Sequence, residues 1–401
     1  MKFFRSTTWM LLCLAGILLP ALGLGQSPPR QIQDFWGRQV TLPAKMDRVI
    51  TISDGMIEGV MTCLGVSQTI VGLGSSCVPK TWEYTYSSVR GEDYTYSGGM
   101  NPVTYLNPKF VELPLVCRAG TGINYEAVVA LHPDLIIVRM GSCSLSSGRD
   151  VAEKSIGLLS SLGIPVVVLQ GPNTFERPHH GTMGREIRLL GQIFQQEDRA
   201  ERLARYLDDQ VNFIQSRTAD IPQGEEKSLL MLGLSPKARS KGGAAHVKGQ
   251  DTLQTYFMEE VIHARNAYSG TGAWNILNTE HLLSLDPDGI ILVTSWGYHP
   301  PSELYDAPYY QSLAGMRAVK NRAVTALPWT PCNCEKRLEY PIDLMVMAKA
   351  AYPQRFAHVN LGNWLLEFYQ TVYGVNTETA KALLSCQWMD WVLEKDTHGQ
   401  D

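Results

Sequence analysis

No catalytic constellation is present in these 401 residues. There is no nucleophile elbow, no phosphate-binding P-loop and no His-Glu-x-x-His zinc motif. The glycines at Gly72, Gly74, Gly98 and Gly99 lack the spacing that cradles phosphates. A non-enzyme is therefore expected. Basic excess is also missing. The net charge is −4, and removing residues 1–25 takes away Lys2 and Arg5 and no acid, leaving −6. That excludes a nucleic-acid-coating role, which wants a basic face. Charged residues make up only 18% of the chain against 44% hydrophobic, the balance of a globular protein rather than a disordered one. Long apolar runs are confined to the N-terminus, where Lys2 and Arg5 precede Trp9–Leu19 and Pro20 follows. This stretch is short for a membrane span. With small residues through Ala21–Gly25 it has the pattern of a secretory signal peptide cleaved near Gly25. Cys13 has no lipobox before it. Seven cysteines would remain: Cys63, Cys77, Cys117, Cys143, Cys332, Cys334 and Cys386. In an oxidising compartment some can pair, and the odd count leaves at least one free.

What the chain does have is a repeat. Asn124–Ile137 returns as Asn278–Ile291, with Asn, Glu, Leu, Pro, Asp, Ile and Ile recurring in place. Gly120–Gly122 and Gly270–Gly272 are both Gly-Thr-Gly and precede the two copies. Two copies imply two similar lobes with a cleft between them, since a solenoid needs at least three. In each copy an asparagine stands at an N-cap. Glu126 or Glu280 follows in the first turn, where a carboxylate complements the helix dipole. Pro133 or Pro287 stops the helix. Leu135–Val138 and Ile290–Val293 are then unbroken apolar runs of the kind buried on both faces of a parallel sheet. The fold class expected is α/β.

Further strands are expected at Arg48–Ser53, Ile70–Leu73, Pro165–Leu169, Lys227–Leu234 and Ala323–Leu327, and helices at 54–64, 150–162 and within 341–394. Residues 74–116 form a tyrosine-rich excursion, long for a plain loop. From Gly181 to Arg217 an apolar stripe (Ile187, Leu190, Phe194, Leu203, Leu207, Val211, Ile214) recurs at three- and four-residue steps without a proline, predicting one long spine helix. The organisation expected is a signal peptide (1–25), a first lobe (26–180), a spine helix (181–218) and a second lobe (219–401).

In open α/β sheets, ligands bind beyond the carboxyl ends of the strands. Those ends place Arg139, Lys237, Arg239, Lys241, Trp296, Tyr298, His299 and Arg337 at the cleft. Basic residues there, in an otherwise acidic chain, suggest an anionic ligand. Arginine in particular offers a planar fork for carboxylates or oxyanions. Trp296 and Tyr298 offer flat faces for a chelate or macrocycle. His299 is a candidate metal ligand, and His179 with His180 a second. Cys332 and Cys334 suit soft metals. Yet a lone Cys-x-Cys lacks the second ligand pair of a structural zinc site. A disulfide to Cys77 or Cys143, or inert thiols, fit the pair equally. The tyrosine-rich excursion is expected to wall the cleft rather than supply phenolate ligands.

The segments DFWGRQVTLPAKMDRVITI, INYEAVVALHPDLIIV, LGIPVVVL and CEKRLEYPIDLMVMAKAAYPQRF, with the spine, resemble the periplasmic solute-binding proteins of iron-siderophore, haem and cobalamin ABC importers, the class III or helical-backbone family. The resemblance covers nearly all of the chain after residue 25. It implies an exported, periplasmic, monomeric receptor with no intrinsic cofactor. Such a receptor carries a metal chelate to a two-fold permease and its ATPase, with no nucleic-acid partner. In that family a glutamate on each lobe docks onto permease arginines, and the matching positions are Glu126 and Glu280. The single spine helix predicts a rigid pair of lobes with limited closure. A bare oxyanion, molybdate or tungstate, is the alternative cargo. A metal-cluster enzyme or a sensor subunit is the alternative from another class.

Overall fold

The computed structural model describes Met1 and residues 30–118, 122–141, 145, 149–234, 236–293, 300–331 and 337–393. The first lobe is built on a four-stranded parallel sheet in the order Val166–Gln170, Leu135–Met140, Val49–Ile52, Ile70–Leu73. The first-copy strand of the repeat lies inside it, every residue from Leu135 to Met140 buried. Burial on both faces is why this strand is an unbroken apolar run rather than an alternating one. The second lobe centres on Ser228–Gly233, with Gly289–Leu292 and Val324–Ala326 parallel to it on one side. On the other side Ala245–Val247 pairs antiparallel with the central strand and Asn275–Leu277 antiparallel with Ala245–Val247, while the short Arg265–Asn266 pairs parallel with the central strand. The two repeat copies thus supply equivalent helix-plus-strand units, one per lobe, as the sequence implies.

The tyrosine-rich excursion is a β-hairpin, Trp82–Ser87 paired with Asp93–Gly99, followed by the short helix Pro102–Leu106. Among the described residues the helices Tyr340–Ala351, Leu361–Tyr373 and Thr377–Cys386 follow.

The segment expected as one uninterrupted helix is instead two, Gly181–Phe194 and Glu197–Ser216. The chain reverses at Gln195, which takes the left-handed conformation (φ 55°, ψ 44°) and donates its N–H to the Gly191 carbonyl. Gly191 packs on Ala200, and Arg188 reaches Glu201 at 2.6 Å and Asp208 at 3.8 Å, so the helices run antiparallel. The apolar period continues through the turn because both helices bury a face. Neither glycine nor proline marks the break. The one local signal is Glu197 and Asp198, acids suited to a new helix start. Only the second helix is the spine. Its 20 residues span about 30 Å at ~1.5 Å per residue. At its start Arg199 Nη1 donates to the first-lobe Leu64 carbonyl (2.8 Å), and near its end Gln215 Nε2 donates to the second-lobe Glu260 carbonyl (3.2 Å).

Gly191 makes this hairpin possible, since a Cβ there would lie 2.4 Å from Ala200 Cβ. Gly191→Ala gains up to ~1 kcal/mol of helix propensity, but forcing the helices apart costs about 1–3 kcal/mol. The clash wins, so the melting temperature should fall by a few degrees. A rise would show that the hairpin yields without cost.

Candidate functional site

Where the strands of the first lobe end, the chain turns through Ser53, Asp54 and Gly55. Gly55 has φ +121°, and a Cβ on it would lie 2.5 Å from Asn101 Nδ2 and 3.0 Å from Arg337. That close approach joins the lobes. Arg337, arriving from the second lobe, donates Nε to the Asp54 carbonyl at 2.5 Å, and Asn101 Nδ2 reaches the same oxygen at 3.4 Å. Beneath them Arg139 is fully buried. Its Nε and Nη2 grip Glu186 Oε1 and Oε2 at 2.7 and 2.8 Å. Arg139 Nη1 stands 3.8 Å from Asp54, whose buried carboxylate oxygens accept no hydrogen bond. Burial raises the Glu186 carboxyl above its usual range, and Arg139 opposes that shift. Nearby Glu58, also raised by burial, accepts from Thr51 and Ser53 at 2.5 and 2.8 Å.

This corrects one expectation. A place at a strand end points Arg139 toward the ligand, but the fold turns it inward. Its fork is occupied by Glu186, so it holds the cleft floor rather than facing a guest. Arg337 is largely buried, and its Nε donates across the lobes to the Asp54 carbonyl.

The basic loop forms the helix Pro236–Ser240, beyond the end of Ser228–Gly233. Lys237 and Lys241 are exposed. Arg239 is partly exposed, its guanidinium 3.9 Å over the Tyr309 ring and Nη1 2.5 Å from Tyr310 Oη. Stacking and the tyrosine bond fix the plane of its fork. Glu303 Oε1 lies 4.0 Å from Arg239 and accepts from Tyr84 Oη (2.6 Å) and Tyr309 Oη (2.7 Å).

Tyr84 belongs to the first-lobe hairpin, so that hairpin crosses the interlobe junction. Tyr86 Oη bonds Ser302 Oγ (3.0 Å), and the Val89 N–H reaches the Asp306 carbonyl (2.7 Å). Trp388 Nε1 donates to the Ser97 carbonyl (2.8 Å). Trp329 and Trp388 pack with ring centroids 4.4 Å apart, and Trp82 meets Trp329 edge-on at 6.0 Å. The excursion is welded to the second lobe at these points. Sequence reasoning missed Trp82, Trp329 and Trp388 as one cluster. Only Trp329 carried a usable signal, standing just past the strand Val324–Ala326.

His180 Nδ1 lies 2.9 Å from Tyr256 Oη across the lobes, with His179 stacked on it at 4.5 Å. Burial, then the neighbouring His179, lower the His180 pKa to about 4, so its ring is neutral at pH 7. Cys77 is disulfide-bonded to a partner outside the described residues. Cys63, Cys117 and Cys386 stand outside disulfides, and burial pushes each thiol up, Cys117 to about 11. Buried protonated thiols are inert. Trp296, Tyr298, His299, Cys332 and Cys334 lie outside the described residues. Among the described residues no three His, Cys, Asp or Glu side chains gather as a metal site.

Glu126 and Glu280 are exposed in the first turns of Tyr125–Ala130 and Thr279–Leu285. The caps form as the repeat implies. Asn124 Oδ1 accepts from Ala127 N (3.0 Å) and Asn278 Oδ1 from His281 N (2.9 Å).

Two lobes on mostly parallel sheets, joined by one connecting helix, define a two-lobed binding protein. The family model for periplasmic binding proteins matches residues 93–330, and the chain belongs to that family. It is 27% identical over 288 residues to the uncharacterized ABC transporter substrate-binding lipoprotein YvrC of Bacillus subtilis, covering 72% of this chain and 80% of that one. It is 21% identical over 382 residues to the molybdate-binding protein MolA of Haemophilus influenzae, covering 90% and 95%. Its fold is similar to a periplasmic solute binding protein from Veillonella parvula (TM-score 0.67, 21% identity, covering 89% and 98%). It is also similar to Helicobacter pylori CeuE with Ni(II) bound (TM-score 0.61, 15% identity, covering 88% and 99%). The chain is thus a substrate-binding protein of the ABC-transporter type, its relatives are transport proteins, and any metal is cargo rather than a resident cofactor. No described helix is long and apolar enough to cross a membrane.

Proposed function

We propose that this protein is an exported, periplasmic, monomeric receptor that captures an anionic metal chelate, such as a ferric siderophore, haem or corrinoid. It delivers that chelate to an ABC permease and its ATPase. The observation that carries the reading is the orientation of Arg239, a partly exposed guanidinium held flat on Tyr309 at the end of a second-lobe strand. With exposed Lys237 on the same short helix it offers positive charge to an anion. Lys241, Trp296, Tyr298, His299 and Arg337 are retained as further ligand contacts, and Cys332 and Cys334 with His299 as direct metal ligands. Removal of residues 1–25 in export belongs to the same reading, as do the divisions at residues 180 and 218. Docking falls to Glu126 and Glu280, one on each lobe. The welded hairpin supports limited closure, with ligand admitted between lobes that move little.

A second reading has an observation of its own. Similarity to MolA runs through 90% of the chain, which favours molybdate or tungstate as cargo. Elemental analysis with an absorption spectrum, on protein purified from its own compartment without added metal, separates the two. Stoichiometric iron or cobalt with a charge-transfer or macrocycle band is the expected result. Molybdenum or tungsten without such a band overturns the chelate reading and leaves the receptor role intact.

A further inference from the structure

Away from the cleft, the second lobe holds a groove of about 700 Å³. That volume is within the range of small-molecule sites. It lies at the amino end of the strand Val324–Ala326, whereas the cleft lies beyond the carboxyl ends. Val324, Val346, Pro353, Leu361 and Trp391 give it apolar walls. The charged and titratable residues that line it are Arg322, Lys349 and His358, and no acid stands among them. The chain as a whole is acidic, so a lining of one sign favours an anion.

All three basic groups are held in place. The Arg322 guanidinium lies over the Tyr305 ring, 4.2 Å from its centroid. Lys349 Nζ donates to the Phe356 and Val359 carbonyls at 3.0 and 2.6 Å, which fixes the turn that carries His358. Arg217 Nη2 stands 3.1 Å from His358 Nε2. A guanidinium can only donate, so Nε2 accepts and the ring proton sits on Nδ1 as a donor.

Arg322 carries a second, independent signal. Its backbone is left-handed, with φ 55°. Glycine takes that conformation freely, and an L side chain takes it at a cost. Backbone strain of this kind gathers at binding sites. An arginine in a turn suited to glycine, stacked so that its fork has a fixed plane, is explained by a use for its guanidinium.

We propose that this groove is a second binding site, separate from the cleft, for a small amphipathic carboxylate. The apolar body of the ligand lies against Val346 and Trp391. Its carboxylate meets Arg322, whose planar fork matches it. Such an occupant touches the edge of the second-lobe sheet and the helices after it together, and so braces them against each other.

Isothermal titration with octanoate and with phenylbutyrate tests the proposal, with octanol as the uncharged control. The parent protein should take up one carboxylate per chain and bind octanol at least about tenfold more weakly. Octanoate should also raise its melting temperature, since a ligand of the folded state stabilises it. Arg322→Gly should weaken octanoate about tenfold or more without lowering the melting temperature of the free protein. Ala350→Trp fills the groove from an exposed helix position and should abolish binding. Arg239→Ala, in the cleft, should leave octanoate binding unchanged. Absence of binding by both carboxylates, equal affinity for octanol, or octanoate binding that survives Ala350→Trp overturns the second site. Loss of binding in Arg239→Ala, with retention in Arg322→Gly, assigns the anion to the cleft and overturns it equally.

Discussion

Replacing Arg139 with leucine should destabilise the protein by about 3–5 kcal/mol, because breaking one side of a buried ion pair leaves the other uncompensated. The melting temperature should fall by on the order of 10 °C. Two carboxylates are stranded. Glu186 loses both bonds of its bidentate grip, and Asp54 loses the guanidinium 3.8 Å away. The loss should depend on pH with a definite sign. Burial already raises the Glu186 carboxyl above its ordinary value, and Arg139 is the largest influence holding it down. Without Arg139 the folded pKa rises further, so the folded state binds more protons than the unfolded one above the ordinary carboxylate value of about 4.3. Stability of the variant should therefore decline, relative to the parent, as pH climbs from 5 to 8. Arg139→Leu/Glu186→Met, which removes both partners of the bidentate pair, should recover the part of the loss that comes from Glu186, while Asp54 stays without its cation. Thermal unfolding across that pH range checks all three expectations. An unchanged melting temperature with weakened ligand binding would restore Arg139 to the ligand and refute the floor role.

Charge reversal at both Glu126 and Glu280 should abolish uptake while leaving the ligand site intact. Both side chains are exposed, so their replacement costs the isolated protein little. At an interface the same reversal sets like charges face to face, at several kcal/mol. The expected outcome is a loss of about a hundredfold or more in transport by the reconstituted system, with ligand affinity changed less than twofold. Each single reversal should cost roughly tenfold, because the other lobe still engages. Undiminished uptake in the double variant would refute docking through these residues and reopen the sensor reading.

How much of this was legible beforehand differs by element. The repeat announced its own structure. Asn, Glu and Pro at fixed spacing are local instructions for cap, first turn and stop, and both helices obey them. The buried strands were equally plain, since the unbroken apolar runs Leu135–Val138 and Ile290–Val293 suit strands covered on both faces. The turn at Gln195 was hidden because a left-handed glutamine carries no composition signal, and two helices burying one face each preserve the period of one. Arg139 misled for a related reason. A basic residue at a strand end has the same sequence signature whether it greets a ligand or an internal acid, and Glu186 lies 47 positions away.

The sequence by itself determined the α/β class, the two-lobed plan and the paired acidic helices, because those follow from caps, proline stops and hydrophobic period acting over a few residues. Only the tertiary structure decided three further things: that the spine is half as long as its apolar stripe, that the tyrosine hairpin is welded onto the second lobe through Tyr84, Tyr86 and Trp388, and that Arg139 belongs to the floor. The physical reason is common to all three. Each is a contact between side chains distant along the chain, and their partners are chosen by burial and charge in the folded protein, which no local pattern encodes.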